Sequence, residues 1–100
     1  MKIVSKILDY DIHDVIIWNG SNSEEVNRFI GFNREFYHTT NDITGEQYLH
    51  CKCEEGCMRV GKNEYVMKSV LDGYIHVMSP NIIFDFYKKY NYDSKTETRG

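Results

Sequence analysis

Glu64-Tyr65-Val66-Met67-Lys68-Ser69-Val70-Leu71-Asp72-Gly73-Tyr74-Ile75-His76-Val77-Met78-Ser79-Pro80-Asn81-Ile82-Ile83-Phe84-Asp85-Phe86-Tyr87 closes the stretch Glu55–Tyr87, whose reading decides the fold. Two runs rich in β-branched and aromatic residues meet at Leu71-Asp72-Gly73, a hairpin-turn signal. In the first run Tyr65 and Met67 share one face, while Val66, Lys68 and Val70 share the other. In the second, Tyr74, His76 and Met78 alternate with Ile75 and Val77. Ser79-Pro80-Asn81 then marks a helix start, because serine caps exposed amides and proline at the first helical position wastes no donor. Ile82 with Phe86, and Ile83 with Tyr87, form apolar rows predicted to press this helix on the sheet, leaving Asp85, Lys88 and Lys89 outward.

Working back from this block, Cys57-Met58-Arg59-Val60 reads as a strand pairing with Tyr48–Cys53, and Phe36-Tyr37 as a further short strand. His38–Gly45 is a polar connection suited to an exposed binding loop. Val15-Ile16-Ile17-Trp18 is a strand ended by the Asn19-Gly20 turn, with Trp18 a core anchor, and Lys2–Leu8 is a candidate first strand. Ser21–Gly31 is a short helix: Ser21 and Glu24 can form a capping box, Val26, Phe29 and Ile30 make one stripe, and Gly31 stops it. The expected fold is α+β, a small mostly antiparallel sheet packed by two short helices. Residues 1–90 are read as one compact domain, with 91–100 a polar, flexible tail.

Composition narrows the function classes. Fifteen acidic against twelve basic residues leave a net charge of −3, which argues against coating a nucleic acid and permits a basic protein partner. No apolar run is long enough to span a bilayer, and the first residues lack the hydrophobic core of a secretory signal, so a cytoplasmic location is expected. His50-Cys51-Lys52-Cys53-Glu54-Glu55-Gly56-Cys57 gathers all three cysteines. An odd, tightly spaced set is a poor disulfide framework, and in a strand His50 and Cys51 diverge, so reduced thiols are preferred to a zinc or copper site. No metal or cofactor is expected.

No triad or dyad of catalytic spacing emerges. Glu24 and Glu25 diverge on a helix and serve its positive end, Asp72 is a turn former, and His38, His50 and His76 lack a recognisable nucleophile. The chain is therefore read as a binding protein and not an enzyme. The contact residues nominated for exposure or turn proximity are Tyr37, His38, Asp42, Tyr65, Tyr74 and His76.

Val15-Ile16-Ile17-Trp18-Asn19-Gly20-Ser21-Asn22, then Glu25-Val26 and Phe29, resemble a family of small uncharacterised proteins encoded mainly by phages and prophages of low-GC Gram-positive bacteria. The resemblance continues at Glu55-Gly56, Met58-Arg59-Val60, Glu64–Val70, Gly73, Pro80-Asn81-Ile82, Phe84 and Tyr87. It departs from the family pattern at Asn63-Glu64-Tyr65, where the family has a glycine-aspartate-tyrosine turn, and around Ile75–Met78, where aromatic and cysteine positions are filled differently. It spans about Asp14 to Tyr87. The resemblance implies a phage-encoded inhibitor that occupies the surface of a host defence protein in the host cytoplasm, one candidate target being a CRISPR effector. Two alternatives are an oligomer that sequesters a nucleotide-like defence signal and a non-catalytic accessory or structural phage module.

Overall fold

The computed structural model describes residues 1–31, 35–53 and 56–90. Eight strands and two helices follow in the order β1 (Lys2–Ser5), β2 (Ile12–Ile17), α1 (Ser23–Ile30), β3 (Phe36–Thr40), β4 (Gln47–Cys53), β5 (Gly56–Gly61), β6 (Tyr65–Ser69), β7 (Ile75–Met78), α2 (Ile83–Phe86) and β8 (Tyr87–Lys89). The strands form two antiparallel sheets, one of five strands ordered β7-β6-β2-β1-β8 and one of three ordered β3-β4-β5. The fold is thus a small α+β domain, with the single expected sheet divided in two. Among the described residues no helix is long and apolar enough to cross a membrane.

The mixed faces of Tyr65–Ser69 are explained by the position of β6, which is internal to the larger sheet and covered on both sides. Val66 enters a cluster with Trp18, Val26 and Ile30 of α1, and Leu49, Cys51 and Val60 of the smaller sheet. Its neighbour Met67 enters a second cluster on the opposite face, with Ile3, Val15 and Ile83. Alternate residues on one strand therefore serve two cores. Lys68 lays its stem beside Phe29 and donates from Nζ to the Phe29 carbonyl at 3.2 Å, placing a cation at the negative end of α1.

Trp18 is fully buried, and its indole N–H donates to Ser23 Oγ at 3.0 Å, so the polar edge is satisfied. Its strand differs from the expected Val15–Trp18: β2 begins at Ile12 and ends at Ile17. Pairing of Ile12, His13 and Asp14 with Val4, Ile3 and Lys2 draws the polar residues into the ladder, and Lys2 Nζ meets Asp14 Oδ1 at 2.6 Å.

The helix boundaries also move. The Ser21–Glu24 capping box does not form, and α1 starts after Asn22, which makes no side-chain cap bond. Asn19 Oδ1 takes the Ser21 amide instead, Asn22 Oδ1 takes the Asn19 amide, and Glu24 turns to Arg28 at 3.0 Å. Gly31 does end the helix, in the left-handed conformation at φ +86°. At the second helix, Ser79 Oγ accepts the Asn81 amide and the Ser79 carbonyl accepts those of Ile82 and Ile83, but α2 is a single turn. Only Ile83 of the expected rows is buried in α2; Ile82 is 45% and Phe86 58% exposed. Tyr87 leaves the helix for β8 because the free edge of β1 pairs with it, matching Ser5, Val4 and Ile3 to Tyr87, Lys88 and Lys89. Lys88 and Lys89 face solvent as expected. Residues 91–100, read above as a tail, lie outside the described residues, as do Glu54 and Glu55.

The β6–β7 reversal falls at Asp72-Gly73, inside a connection wider than a two-residue turn. The Ser69 amide donates to the Tyr74 carbonyl and the Gly73 amide to the Ser69 carbonyl, both at 2.9 Å. Gly73 supplies φ +74°, and Asp72 Oδ1 accepts the Tyr74 amide at 2.9 Å. The Tyr74 amide bond, with the Ser69 side chain next, holds the Asp72 carboxyl below its ordinary range.

Two stability predictions follow from this arrangement. Trp18→Ala should lower the unfolding free energy by about 3–5 kcal/mol, whereas Ile43→Thr, at a residue 94% exposed, should change it by no more than ~0.5 kcal/mol; urea titration distinguishes them. Because the folded Asp72 titrates below its unfolded value, its contribution is complete above that value and is lost as pH falls through the folded one. The stability difference between the native chain and Asp72→Asn should therefore be flat from about pH 7 to 5 and change only below about pH 4.

Candidate functional site

Alternation along β4 sends Leu49 and Cys51 into the core and Tyr48, His50 and Lys52 to the other face. On β5, Val60 is buried and Met58 packs beside it, so Arg59 and Cys57 project outward. On β3 the outward pair is Tyr37 and Thr39, by register with His50 and Tyr48. The outer face of the small sheet thus carries aromatic, imidazole and cationic groups in adjoining rows.

These side chains hold each other. The Tyr37 and His50 rings stack with centroids 4.6 Å apart and planes 7° from parallel. Thr39 Oγ1 lies 2.9 Å from His50 Nε2, and the Arg59 guanidinium sits 4.6 Å over the Tyr48 ring. Tyr48 donates its hydroxyl to Glu46 at 2.7 Å, which, with burial adding to it, raises the phenol above its usual range. Lys52 meets Glu35 at 2.9 Å, and that hydrogen bond and charge lower the carboxyl and raise the ammonium. Both partners are well exposed, so the pair is worth little for stability.

Beside this face lies a cleft of about 520 Å³, walled by Gly45–Tyr48, Arg59, Gly61, Lys62, Glu64 and the Ser79–Asn81 turn. The Gly61 amide donates to Glu64 Oε1 at 2.6 Å, and a Cβ on Gly61 would stand 2.8 Å from that oxygen. Glycine is therefore what lets the Glu64 carboxylate fold back against the strand. Arg59 and Lys62 form no ion pair among the described residues.

The six residues nominated from sequence are not brought together. Tyr37 belongs to the outer face just described, and Asp42 is exposed in the loop that follows β3. His38 lies on the opposite face of β3 from Tyr37, exposed and with its ring edge-on to Trp18 at 5.1 Å. Tyr65, Tyr74 and His76 sit on the α2 side of the larger sheet: Tyr65 is edge-on to Phe84, and Tyr74 to His76 at 4.6 Å. Sequence reasoning missed Tyr48, His50, Arg59 and Lys52 as one surface, although the alternation of Tyr48-Leu49-His50-Cys51-Lys52 carried the signal.

It also missed His13, which is 4% exposed with Nε2 2.8 Å from Asp11 Oδ1 and its ring edge-on to Tyr87 at 5.4 Å. Its Nδ1 is buried without a partner, and the His76 ring lies 6.2 Å away. A carboxylate–imidazole pair with no hydroxyl or thiol on the second nitrogen is half of a nucleophilic device. Among the described residues no group of three or more His, Cys, Asp or Glu is arranged to hold a metal ion. Cys51 is buried on the inner face and Cys57 exposed, while the side chain of Cys53 lies outside the described residues.

Burial pushes the Cys51 thiol up to about 11. At pH 8 it is protonated and enclosed, so peptide mapping after iodoacetamide should find Cys57 alkylated and Cys51 spared until denaturant is added. Equal labelling of both in the folded chain would contradict the inward placement of Cys51.

No protein-family profile, curated protein or solved structure matches this chain.

Proposed function

We propose that the chain is a non-catalytic protein-binding module that meets its partner with the outer face of β3-β4-β5. The observation that carries this reading is the outward array of exposed Tyr37 and Arg59 with half-buried His50 and Tyr48, held by a ring stack and a cation–π contact. Tyrosine and arginine dominate the residues on which interface energy concentrates, and side chains already held in place lose less freedom on binding. The charges on this face are mixed, with Arg59 and Lys52 beside Glu35 and Glu46. That mixture favours ordinary protein recognition over imitation of nucleic-acid phosphates.

The phage resemblance extends the proposal to a particular partner: a bacterial defence protein, with a CRISPR effector as one candidate, blocked by surface occupation in the host cytoplasm. The cleft beside Tyr48 supports a second reading. Its ring, with Arg59 and Lys62 at hand, suits a nucleotide-like molecule, and sequestration of such a signal needs no chemistry by the protein.

Tagged pull-downs from host cells at low and moderate salt, with proteins and small molecules both analysed, separate these readings. A reproducible protein partner is expected, with affinity reduced about tenfold or more by Tyr37→Ala with Arg59→Ala and little changed by Tyr74→Ala with His76→Ala. Unchanged capture by the first pair overturns the chosen face. A retained small molecule lost on Arg59→Ala supports sequestration, and no reproducible partner of either kind overturns both readings.

A further inference from the structure

We infer that β3 is a self-complementary edge through which two copies of this chain pair, antiparallel and centred on His38, joining their small sheets into one continuous sheet. β3 is the end strand of its sheet, and all five of its residues are exposed. Which backbone groups are free follows from its pairing with β4. The Lys52 amide donates to the Glu35 carbonyl at 3.0 Å and the Asn41 amide to the Glu46 carbonyl at 2.8 Å. Glu35, Tyr37, Thr39 and Asn41 therefore turn their amides and carbonyls toward β4, and Phe36, His38 and Thr40 turn theirs outward. Among the described residues nothing bonds to those outward groups.

Edge strands are normally guarded by lysine, proline, glycine kinks or brevity. β8 has Lys88 and Lys89 and only three residues, and β5 has glycine at both ends with Arg59 between. β7 is uncharged but offers outward backbone groups at Ile75 and Val77 alone, by the same alternation. Phe36-Tyr37-His38-Thr39-Thr40 has none of the guards. Unpaired amides and carbonyls on an extended, uncharged strand are a template for another strand.

A second copy fits that template by charge and by shape. Centred on His38, antiparallel pairing sets Phe36 opposite Thr40 of the second copy, Tyr37 opposite its Thr39, and Glu35 opposite its Asn41. Aromatic residues thus face β-branched ones, a favourable cross-strand combination, and no like charges are opposed. Parallel pairing in register would instead place Glu35 against Glu35. The two-fold contact closes on itself, consuming both β3 edges, so association stops at a dimer. It also sets the two Tyr37–His50 arrays on the same side of the joined sheet. The pairing does not depend on what that side binds.

Sedimentation velocity on the full chain from about 1 to 500 µM should show a concentration-dependent dimer. Thr40→Pro removes an outward amide without removing a bond to β4, and should weaken dimerisation at least tenfold while the melting curve stays cooperative. Thr39→Pro removes an inward amide and should lower thermal stability. A monomer throughout the range, or a dimer untouched by Thr40→Pro, overturns the inference. Hydrogen exchange on the unmutated chain tests it without reliance on any variant: the Phe36, His38 and Thr40 amides should gain protection about tenfold or more on concentration, while Tyr37 and Thr39 stay protected throughout. Protection of the first three only when a different protein is added overturns self-pairing in favour of strand donation by that protein.

Discussion

Burial of Trp18 is the constraint on which the two sheets depend. The residue follows the last pairing of β2, and its side chain fills the space between the larger sheet, α1 and the inner face of the smaller sheet. Its backbone works at the same junction: its amide donates to the Glu64 carbonyl at 3.3 Å, and its carbonyl accepts the Asn63 amide at 2.6 Å. The turn that carries the chain from β5 to β6 is thus fastened to the residue that both sheets pack against. Asn63 takes a left-handed conformation there, φ +71°, which asparagine tolerates better than most side chains. One aromatic residue and one turn set the relative placement of the sheets, and with it the outward presentation of Tyr48, His50 and Arg59.

The local signals in the sequence translate well where a single strand or turn decides the outcome. Trp18 is the core anchor its β-branched approach implied, Asp72-Gly73 marks the reversal, and Gly31 ends a helix whose Val26 and Ile30 are buried. The signals fail where two strands compete or cooperate at a distance. Tyr87–Lys89 reads as the last turn of a helix until β1 is known to have a free edge, because hydrogen bonds to a neighbouring strand outweigh a weak local preference. Ser21 and Glu24 have capping chemistry, but the Asn19 side chain takes the Ser21 amide and Glu24 pairs with Arg28 instead.

The candidate site shows the same division. Alternation in β4 separates core from surface, yet the array also needs Tyr37 opposite His50 and Arg59 opposite His50 from the other side. That register is a tertiary fact. His38, nominated for exposure, is exposed on β3 but lies one residue from Tyr37 in a strand, so its ring sits edge-on to Trp18 on the opposite face from the array. His13 escaped notice because a short run of polar residues resembles a connection, whereas pairing with β1 and a neighbouring Asp11 carboxylate allow an imidazole to be enclosed.

The partnership of β1 with β8 has a bearing on how the domain is assembled during synthesis. β1 lies between β2 and β8, so it keeps one row of amides and carbonyls uncovered until β8, made about eighty residues later, arrives. The Trp18 core can form earlier, since its residues run only from Trp18 to Val66. The second core needs Ile83 as well, and closure of the long loop between β1 and β8 carries the larger entropy cost. A nascent chain can therefore complete one hydrophobic centre while the other waits. During that interval Ile3 of β1 lacks its Ile83 contact and the β1 edge lacks its β8 partner, the kind of exposed apolar edge that invites wrong pairing.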